Sequence, residues 1–201
     1  KWTSTHYSLF TLKQLGLPGG DKRTRESTQL LIDKLHCKDG GINVHSTHQQ
    51  SETCVTAMVL SMASWFGVDD ERMDRMYQYL LQEQMEDGGW NCLRHKGHRH
   101  SSFHTTISVL EALHDYARAH PPVKDQLRDV RAAAHEFMLQ HHLFRSDKTG
   151  KIIDARMLRL SFPSRWRYDV LRGLAYFAAA QHPHDPRFCD AIQVLKKKEK
   201  G

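Results

Sequence analysis

The sequence lacks any hydrophobic run of the roughly 18 to 20 apolar residues that are needed to cross a bilayer. The N-terminus also lacks the apolar stretch of a secretory signal. We therefore expect a cytoplasmic protein without a membrane span. Because the first residue is Lys1, we also expect the chain to be a fragment or a trimmed product.

Cysteine is scarce, and its distribution does not favour disulfides. The four cysteines lie far apart in the sequence and show no paired spacing. In a chain without a secretory signal, we interpret them as thiols or metal ligands. They are Cys37, Cys54, Cys92 and Cys189.

Neither sign of charge dominates the chain, although the balance is basic. The sequence has 29 lysines and arginines against 23 acidic residues, for a formal net charge of +6. The only dense basic cluster is at 196–200, where it predicts a solvated helix end. No recognised DNA- or RNA-binding motif is present, so we expect no nucleic-acid partner. Histidine is abundant, with 15 residues, and both metal binding and solvent-exposed loop positions are consistent with it.

The chain repeats a similar order of residues four times. Helical runs lead to glycine turns, of which Asp39-Gly40-Gly41 and Asp87-Gly88-Gly89 are the clearest. A repeat of roughly 50 residues predicts a supersecondary unit that is stacked several times in a single domain. The predicted repeats comprise roughly residues 1–50, 51–101, 102–163 and 164–201.

Apolar residues recur at helical spacing in almost every segment, with two helices in each repeat. One such helix starts near Val55 and ends at Gly67, and Asp69 is the predicted cap of the helix that follows. Sustained alternation with period two is absent, so the prediction is an all-α domain. The connection from about 144 to 163 is longer than the others, and we interpret it as an insertion within the third repeat.

The turn Asp87-Gly88-Gly89-Trp90 is followed by a helix that opens with Phe103-His104-Thr105-Thr106. Paired helices joined in this way resemble the α/α-toroid superfamily of terpenoid cyclases and protein prenyltransferase β-subunits. The resemblance covers essentially the whole chain. It implies inner and outer helices that alternate around a central cavity. A complete ring has more helix pairs than the four predicted here, so it implies an incomplete barrel.

The same resemblance implies a zinc site. In the protein prenyltransferases, an Asp and a Cys two positions apart bind zinc together with the His of a His-Thr pair that opens the next inner helix. Here Glu52 stands in place of the Asp, Cys54 matches the Cys, and His104 matches the His. Three protein ligands of these types leave one zinc position open, as in catalytic sites. The alternative is that Glu52 caps its helix, Cys54 is a small buried residue, and His104 donates a hydrogen bond to a neighbouring turn.

Cys92, His95 and His98 lie close enough in sequence to be accessory ligands, although no spacing rule selects them. Two features of the superfamily are missing. The Asp-x-Asp-Asp acid motif of the cyclases is absent. No lysine or arginine lies near Glu52 in the sequence, where the prenyltransferases bind the diphosphate of their substrate.

The other predicted inner helices also begin with polar side chains. Tyr168 and Asp169 are predicted catalytic residues, with Asp169 acting as a general base or as a partner of a ligating histidine. An ordinary helix cap is the alternative for Asp169. His6, Arg165 and Trp166 are predicted to bind substrate. If all these helix starts converge on one end of the ring, they form a site.

Three functions are consistent with these patterns. The first is a toroid-type enzyme that acts on an isoprenoid or another long apolar molecule, with zinc as cofactor. The second is a module that binds a lipid or peptide without turnover, and the third is a protein-interaction scaffold. The resemblance also implies a possible second subunit, and self-association is an alternative to it.

Overall fold

The computed structural model describes residues 4–45 and 50–199. Within these ranges, the regular structure consists of eight α-helices, four short 3-10 helices and isolated β-bridges, which confirms the all-α prediction. No helix in this part of the chain combines the length and the apolar character that are needed to cross a membrane. The α-helices are α1 (Thr5–Gln14), α2 (Lys22–Leu35), α3 (Thr53–Phe66), α4 (Arg72–Gln82), α5 (Phe103–Ala119), α6 (Arg128–Gln140), α7 (Val170–Ala179) and α8 (Cys189–Glu199). The 3-10 helices are Arg94–Lys96, Pro121–Lys124, Ala155–Leu158 and Pro186–Phe188.

The odd-numbered helices lie side by side in chain order, because α1 contacts α3, α3 contacts α5, and α5 contacts α7. The contact between α3 and α5 is the most extensive, and most residues of both helices are buried. Each even-numbered helix packs against the odd-numbered helix that precedes it, and α2 also contacts α3. The core is therefore centred on α3 and α5, with the less buried even-numbered helices around them.

The helices begin and end at residues with a clear physical role. Gly67 follows α3 with a φ of 71°, a left-handed conformation that glycine adopts without a steric penalty. At α2, the carboxylate of Asp21 accepts a hydrogen bond from the backbone N–H of Thr24 at 3.0 Å. The predicted cap of α4 is corrected from Asp69 to Asp70. Residue 71 is already in the helical region, so the carboxylate of Asp70 accepts the N–H of Arg72 at 2.9 Å.

The two Asp-Gly-Gly turns have the same hydrogen-bonding scheme. The carboxylate of Asp39 accepts hydrogen bonds from the N–H and hydroxyl of Ser51, at 3.1 and 2.6 Å. One turn later in the chain, Asp87 accepts the corresponding bonds from Ser101. A threonine hydroxyl of the following helix then accepts the N–H of the residue after the second glycine, from Ile42 at 2.8 Å and from Trp90 at 3.0 Å. These turns attach α2 to α3 and α4 to α5.

The first glycine of each turn also approaches the next even-numbered helix closely. A Cβ at Gly40 would lie 3.0 Å from the backbone oxygen of Arg75 in α4, and one at Gly88 would lie 2.4 Å from that of Ala133 in α6. Both glycines have positive φ, at 94° and 91°. Successive units are thus stacked through the same contact. The division of the whole chain into one domain of four repeats stays a prediction.

The chain returns to α1 directly after the predicted insertion. The insertion itself contains an isolated bridge between Arg145 and Ile152 and the 3-10 helix Ala155–Leu158. The two residues that follow it are held by Gln14 at the end of α1, which donates to the hydroxyl of Ser164 at 3.1 Å and accepts the N–H of Arg165 at 2.9 Å. This contact connects the start of the fourth predicted repeat with the first.

Candidate functional site

The starts of α1 and α3 border a cavity of about 620 Å³, here called the rim cavity. One part of its wall is apolar, because α2, α3 and two connecting segments contribute side chains that face it. These residues are Leu31, Leu35, Val44, Val55, Met58 and Trp166. The other part is polar and contains the predicted site residues His6, Glu52 and Cys54, together with Tyr7 and His45. The rim cavity thus combines an apolar surface with an imidazole, a carboxylate and a thiol.

His6 is almost completely buried in the first turn of α1, with 5% of its surface exposed. Its Nε2 atom has no hydrogen-bond partner among the described residues. Burial lowers the pKa of His6 to about 4, so the imidazole is neutral at physiological pH. His6 thus lines the cavity as a neutral imidazole with one buried nitrogen that has no partner in the part of the chain that the structure describes.

Glu52 precedes α3 and has one carboxylate oxygen engaged and one buried without a partner. Its Oε1 lies 3.4 Å from Nε2 of His45, whereas its Oε2 has no hydrogen-bond partner in the described part of the chain. The carboxylate makes no capping bond to the helix, which departs from the predicted alternative of a helix cap. One buried oxygen of the Glu52 carboxylate is therefore left without a partner in residues 4–45 and 50–199.

Cys54 lies in contact with Cys92. No spacing rule in the sequence predicts this contact. The N–H of Cys54 donates to Sγ of Cys92 at 3.0 Å, and the hydroxyl of Thr105 donates to the same sulfur at 3.4 Å. The hydrogen bond from the thiol of Cys54, followed by the bond from Thr105, lowers the pKa of Cys92 against the effect of burial. The same thiol–thiol bond, together with burial, raises the pKa of Cys54. Of this pair of free cysteines, Cys92 is therefore the one that loses its proton more readily.

His104 opens α5 but faces a second cavity, of about 370 Å³. Its Nδ1 accepts a hydrogen bond from the N–H of Tyr168 at 2.7 Å. Burial, and then the charges of Arg172 and Arg167, lower the pKa of His104. The ring is consequently neutral with its proton on Nε2, and it accepts a hydrogen bond where the sequence predicted a donor.

Trp166 lies between the two cavities and lines both of them. Its ring meets the edge of His104 at a centroid distance of 5.2 Å. The starts of α1, α3 and α5 and the segment before α7 therefore come together around one tryptophan. Arg165, the neighbouring predicted substrate-binding residue, is exposed, and its backbone is held by Gln14.

The two predicted catalytic residues have their polar atoms engaged with the main chain. Tyr168 is buried and donates its hydroxyl to the backbone oxygen of Leu143 at 2.7 Å, and burial raises its pKa. Asp169 is also buried and caps α7 by accepting the N–H of Arg172 at 3.0 Å. It accepts a second bond from the N–H of Ser161 at 2.6 Å. These bonds give both residues a structural task, and a catalytic role for them stays a prediction.

The three predicted zinc ligands are divided between the cavities, with Glu52 and Cys54 in the rim cavity and His104 in the second one. Within residues 4–45 and 50–199, no three His, Cys, Asp or Glu side chains form a group that could hold a metal ion. Zinc binding by Glu52, Cys54 and His104 stays a prediction. The accessory candidates His95 and His98 are exposed in the loop after Cys92.

A further cavity, of about 390 Å³, is bordered by all four odd-numbered helices. Lys13 of α1, Trp65 of α3, Asp115 of α5 and Tyr176 of α7 are among the residues that line it. The ammonium group of Lys13 lies 2.7 Å from the carboxylate of Asp115 and 5.4 Å from the centre of the Trp65 ring. Sequence analysis missed this cavity because its residues occur in the later turns of helices, without a motif.

Comparison of the chain with protein-family models, with curated proteins and with solved structures finds no match.

Proposed function

We propose that this chain is an α/α-toroid-type enzyme that takes an isoprenoid or another long apolar substrate into the rim cavity. The arrangement of the helices supports the architectural part of this proposal. The odd-numbered helices follow one another side by side and border a common cavity, as the inner helices of a toroid do. The equivalent turns at 39–41 and 87–89 supply the stacking contact between units.

The composition of the rim cavity carries the functional part. Its volume of about 620 Å³ lies in the range of small-molecule sites, roughly 300–1,000 Å³. The apolar residues, among them Leu31, Met58 and Trp166, favour a hydrocarbon chain through burial. Cys54 and Glu52 at the polar part of the wall are groups that can react with a substrate held there.

The thiol pair supplies the chemistry in this proposal. Cys54 borders the cavity, and Cys92, which has the lower pKa of the two, is placed to accept the proton of the Cys54 thiol when that thiol reacts. A thiolate is a nucleophile and a ligand for soft metal ions, whereas a thiol is neither to the same degree. Zinc binding, which the resemblance implies, is a separate prediction. It is tested by elemental analysis of purified protein, with Cys54→Ala as the ligand variant and Cys189→Ala as the control at an exposed cysteine.

The binding step is tested with purified protein and two radiolabelled probes, farnesol and farnesyl diphosphate, by equilibrium dialysis. Leu31→Trp fills the cavity, and Leu30→Trp is the matched control, because Leu30 is exposed on the same helix and does not line the cavity. We expect one probe to bind to the wild type and to the control, and binding to weaken by about tenfold or more with Leu31→Trp. Absence of binding by both probes would exclude the proposed function.

Turnover separates an enzyme from a module that only binds its ligand. Mass spectrometry of the apolar molecules that co-purify with the protein identifies natural ligands, and their mass is followed after incubation with fresh protein. A changed ligand mass that depends on Cys54 supports the enzyme. An unchanged ligand favours the binding module. Light scattering of the same sample tests for self-association. The resemblance implies a possible second subunit, and self-association is the alternative.

A further inference from the structure

Two buried polar atoms of the rim cavity lack partners within the described residues. They are Nε2 of His6 and Oε2 of Glu52. They belong to different helix starts but line the same cavity. Buried polar atoms in folded proteins are almost always hydrogen-bonded, so two unpaired ones on residues that line one cavity point to a ligand group that pairs with them once the two side chains turn toward it.

The charges around these atoms are unfavourable for an anion. No lysine or arginine is among the described residues that line the cavity, and Glu52 adds a negative charge to it. A diphosphate requires concentrated positive charge, usually from arginine or lysine. The positive groups Arg156, Arg159 and Arg167 line the second cavity and not the rim cavity.

The polarity of the two atoms matches a hydroxyl group. A hydroxyl donates one hydrogen bond and accepts up to two, so it can donate to the carboxylate of Glu52. Because its one proton goes to Glu52, it pairs with His6 as an acceptor, from the tautomer of the ring that carries the proton on Nε2. The burial that lowers the pKa of His6 to about 4 also disfavours a charged group of the ligand beside it.

We propose that the ligand of the rim cavity is an isoprenoid or other long-chain alcohol, whose hydroxyl group pairs with Glu52 and His6, and that the cavity discriminates against the diphosphate ester. This inference rests on the proposed function, since it names the polar end of the apolar substrate. The hydrocarbon chain then lies along Leu31, Met58 and Trp166. In this proposal, the negative charge of Glu52 repels an anionic ligand, and the site therefore selects an uncharged alcohol over a diphosphate.

The test compares the dissociation constants of farnesol, farnesylamine and farnesyl diphosphate by equilibrium dialysis, with the wild type and two variants. Glu52→Gln removes the negative charge and keeps the size of the side chain. Glu71→Gln is the control, because Glu71 occupies the same position before α4, is exposed and likewise makes no capping bond. Circular dichroism of each variant checks that it is folded.

For the wild type and the control, we expect farnesol to bind about tenfold or more tightly than the diphosphate. With Glu52→Gln, the ratio should approach one, because the repulsion of the diphosphate is lost. Equal or tighter binding of the diphosphate by the wild type would overturn the inference and leave the proposed function in place. Tighter binding of farnesylamine than of farnesol, or a ratio that Glu52→Gln leaves unchanged, would also overturn it. If no probe binds, the proposed function fails and the inference with it.

Discussion

Substitution of Arg172 should be among the changes that lower the free energy of unfolding of this protein the most. Its guanidinium group forms a bidentate ion pair with Glu111 of α5, with Nε at 2.8 Å from Oε1 and Nη2 at 2.6 Å from Oε2. The arginine side chain is 4% exposed and that of Glu111 is 22% exposed. The pair therefore joins α5 to α7 in a largely water-free place.

The same guanidinium group also holds the segment that carries the site. It donates to the backbone oxygen of Arg167 at 3.0 Å and to the hydroxyl of Ser108 at 3.3 Å. Arg167 lies between Trp166 and Tyr168, and the N–H of Tyr168 bonds to His104. Loss of Arg172 should consequently disturb both stability and the position of Trp166.

We expect Arg172→Met to lower the free energy of unfolding by about 3 kcal/mol, the lower end of the range for breaking a buried ion pair. The lower end applies because Glu111 keeps some access to water. For a chain of this size, the loss corresponds to a fall in Tm of about 6–12 °C. A large part of the cost arises from the carboxylate that is left unpaired, so Arg172→Met with Glu111→Gln should recover part of it.

The measurement is urea denaturation followed by circular dichroism, with the two single variants and the double variant in one thermodynamic cycle. Arg128→Met is the control, since its ion pair with Asp125 is exposed and should contribute less than about 1 kcal/mol. If Arg172→Met costs as little as the control, or if the cycle shows no coupling, the reasoning about this buried pair is wrong.

Three further predictions follow from other parts of the structure. Gly89→Ala should lower the free energy of unfolding by about 1–3 kcal/mol, since its methyl group would lie 2.6 Å from the hydroxyl oxygen of Thr106. In the comparison variant Gly97→Ala, the methyl group meets nothing within 4 Å, so its cost reflects only the left-handed φ of 86°. An unchanged free energy of unfolding for Gly89→Ala in a urea titration would contradict the packing argument. His6 has a pKa of about 4 in the fold against 6.5 in the unfolded chain, which therefore binds more protons between these pH values. The free energy of unfolding should fall as the pH drops from 6.5 to 4, by up to roughly 3 kcal/mol from this residue. His6→Gln should flatten this pH dependence, and a variant with the same pH profile as the wild type would refute the prediction. Gln14→Ala should speed hydrogen exchange of the amides at 164–166, because the hydrogen bonds that hold this segment to α1 are lost. Unchanged exchange there would show that other contacts hold the segment.

The helices and turns could be predicted because their signals are local. Gly67 ends α3 where the predicted helix ends, and the Asp-Gly-Gly turns occur where the sequence places them. The cap of α4 was assigned one residue too early, to Asp69. Both Asp69 and Asp70 have the chemistry of a cap, and only the backbone conformation decides which carboxylate reaches the free amides.

The candidate site could be predicted only in part. Glu52 and Cys54 are neighbours in sequence, and they line one cavity with His6 and Trp166. The place of Cys92 beside Cys54 depends on how the loop after Trp90 returns to α3, which no spacing rule describes. Zinc and the catalytic roles of Tyr168 and Asp169 stay predictions.

The sequence by itself determined the helical class and the glycine turns, because helix periodicity and turn geometry depend on residues a few positions apart. Only the tertiary structure decided which helix starts share a cavity. Trp166 lines both the cavity of His104 and that of Glu52 and Cys54, and the contact with Cys54 lowers the pKa of Cys92. Such contacts arise from packing between residues far apart in the chain, which local patterns do not encode.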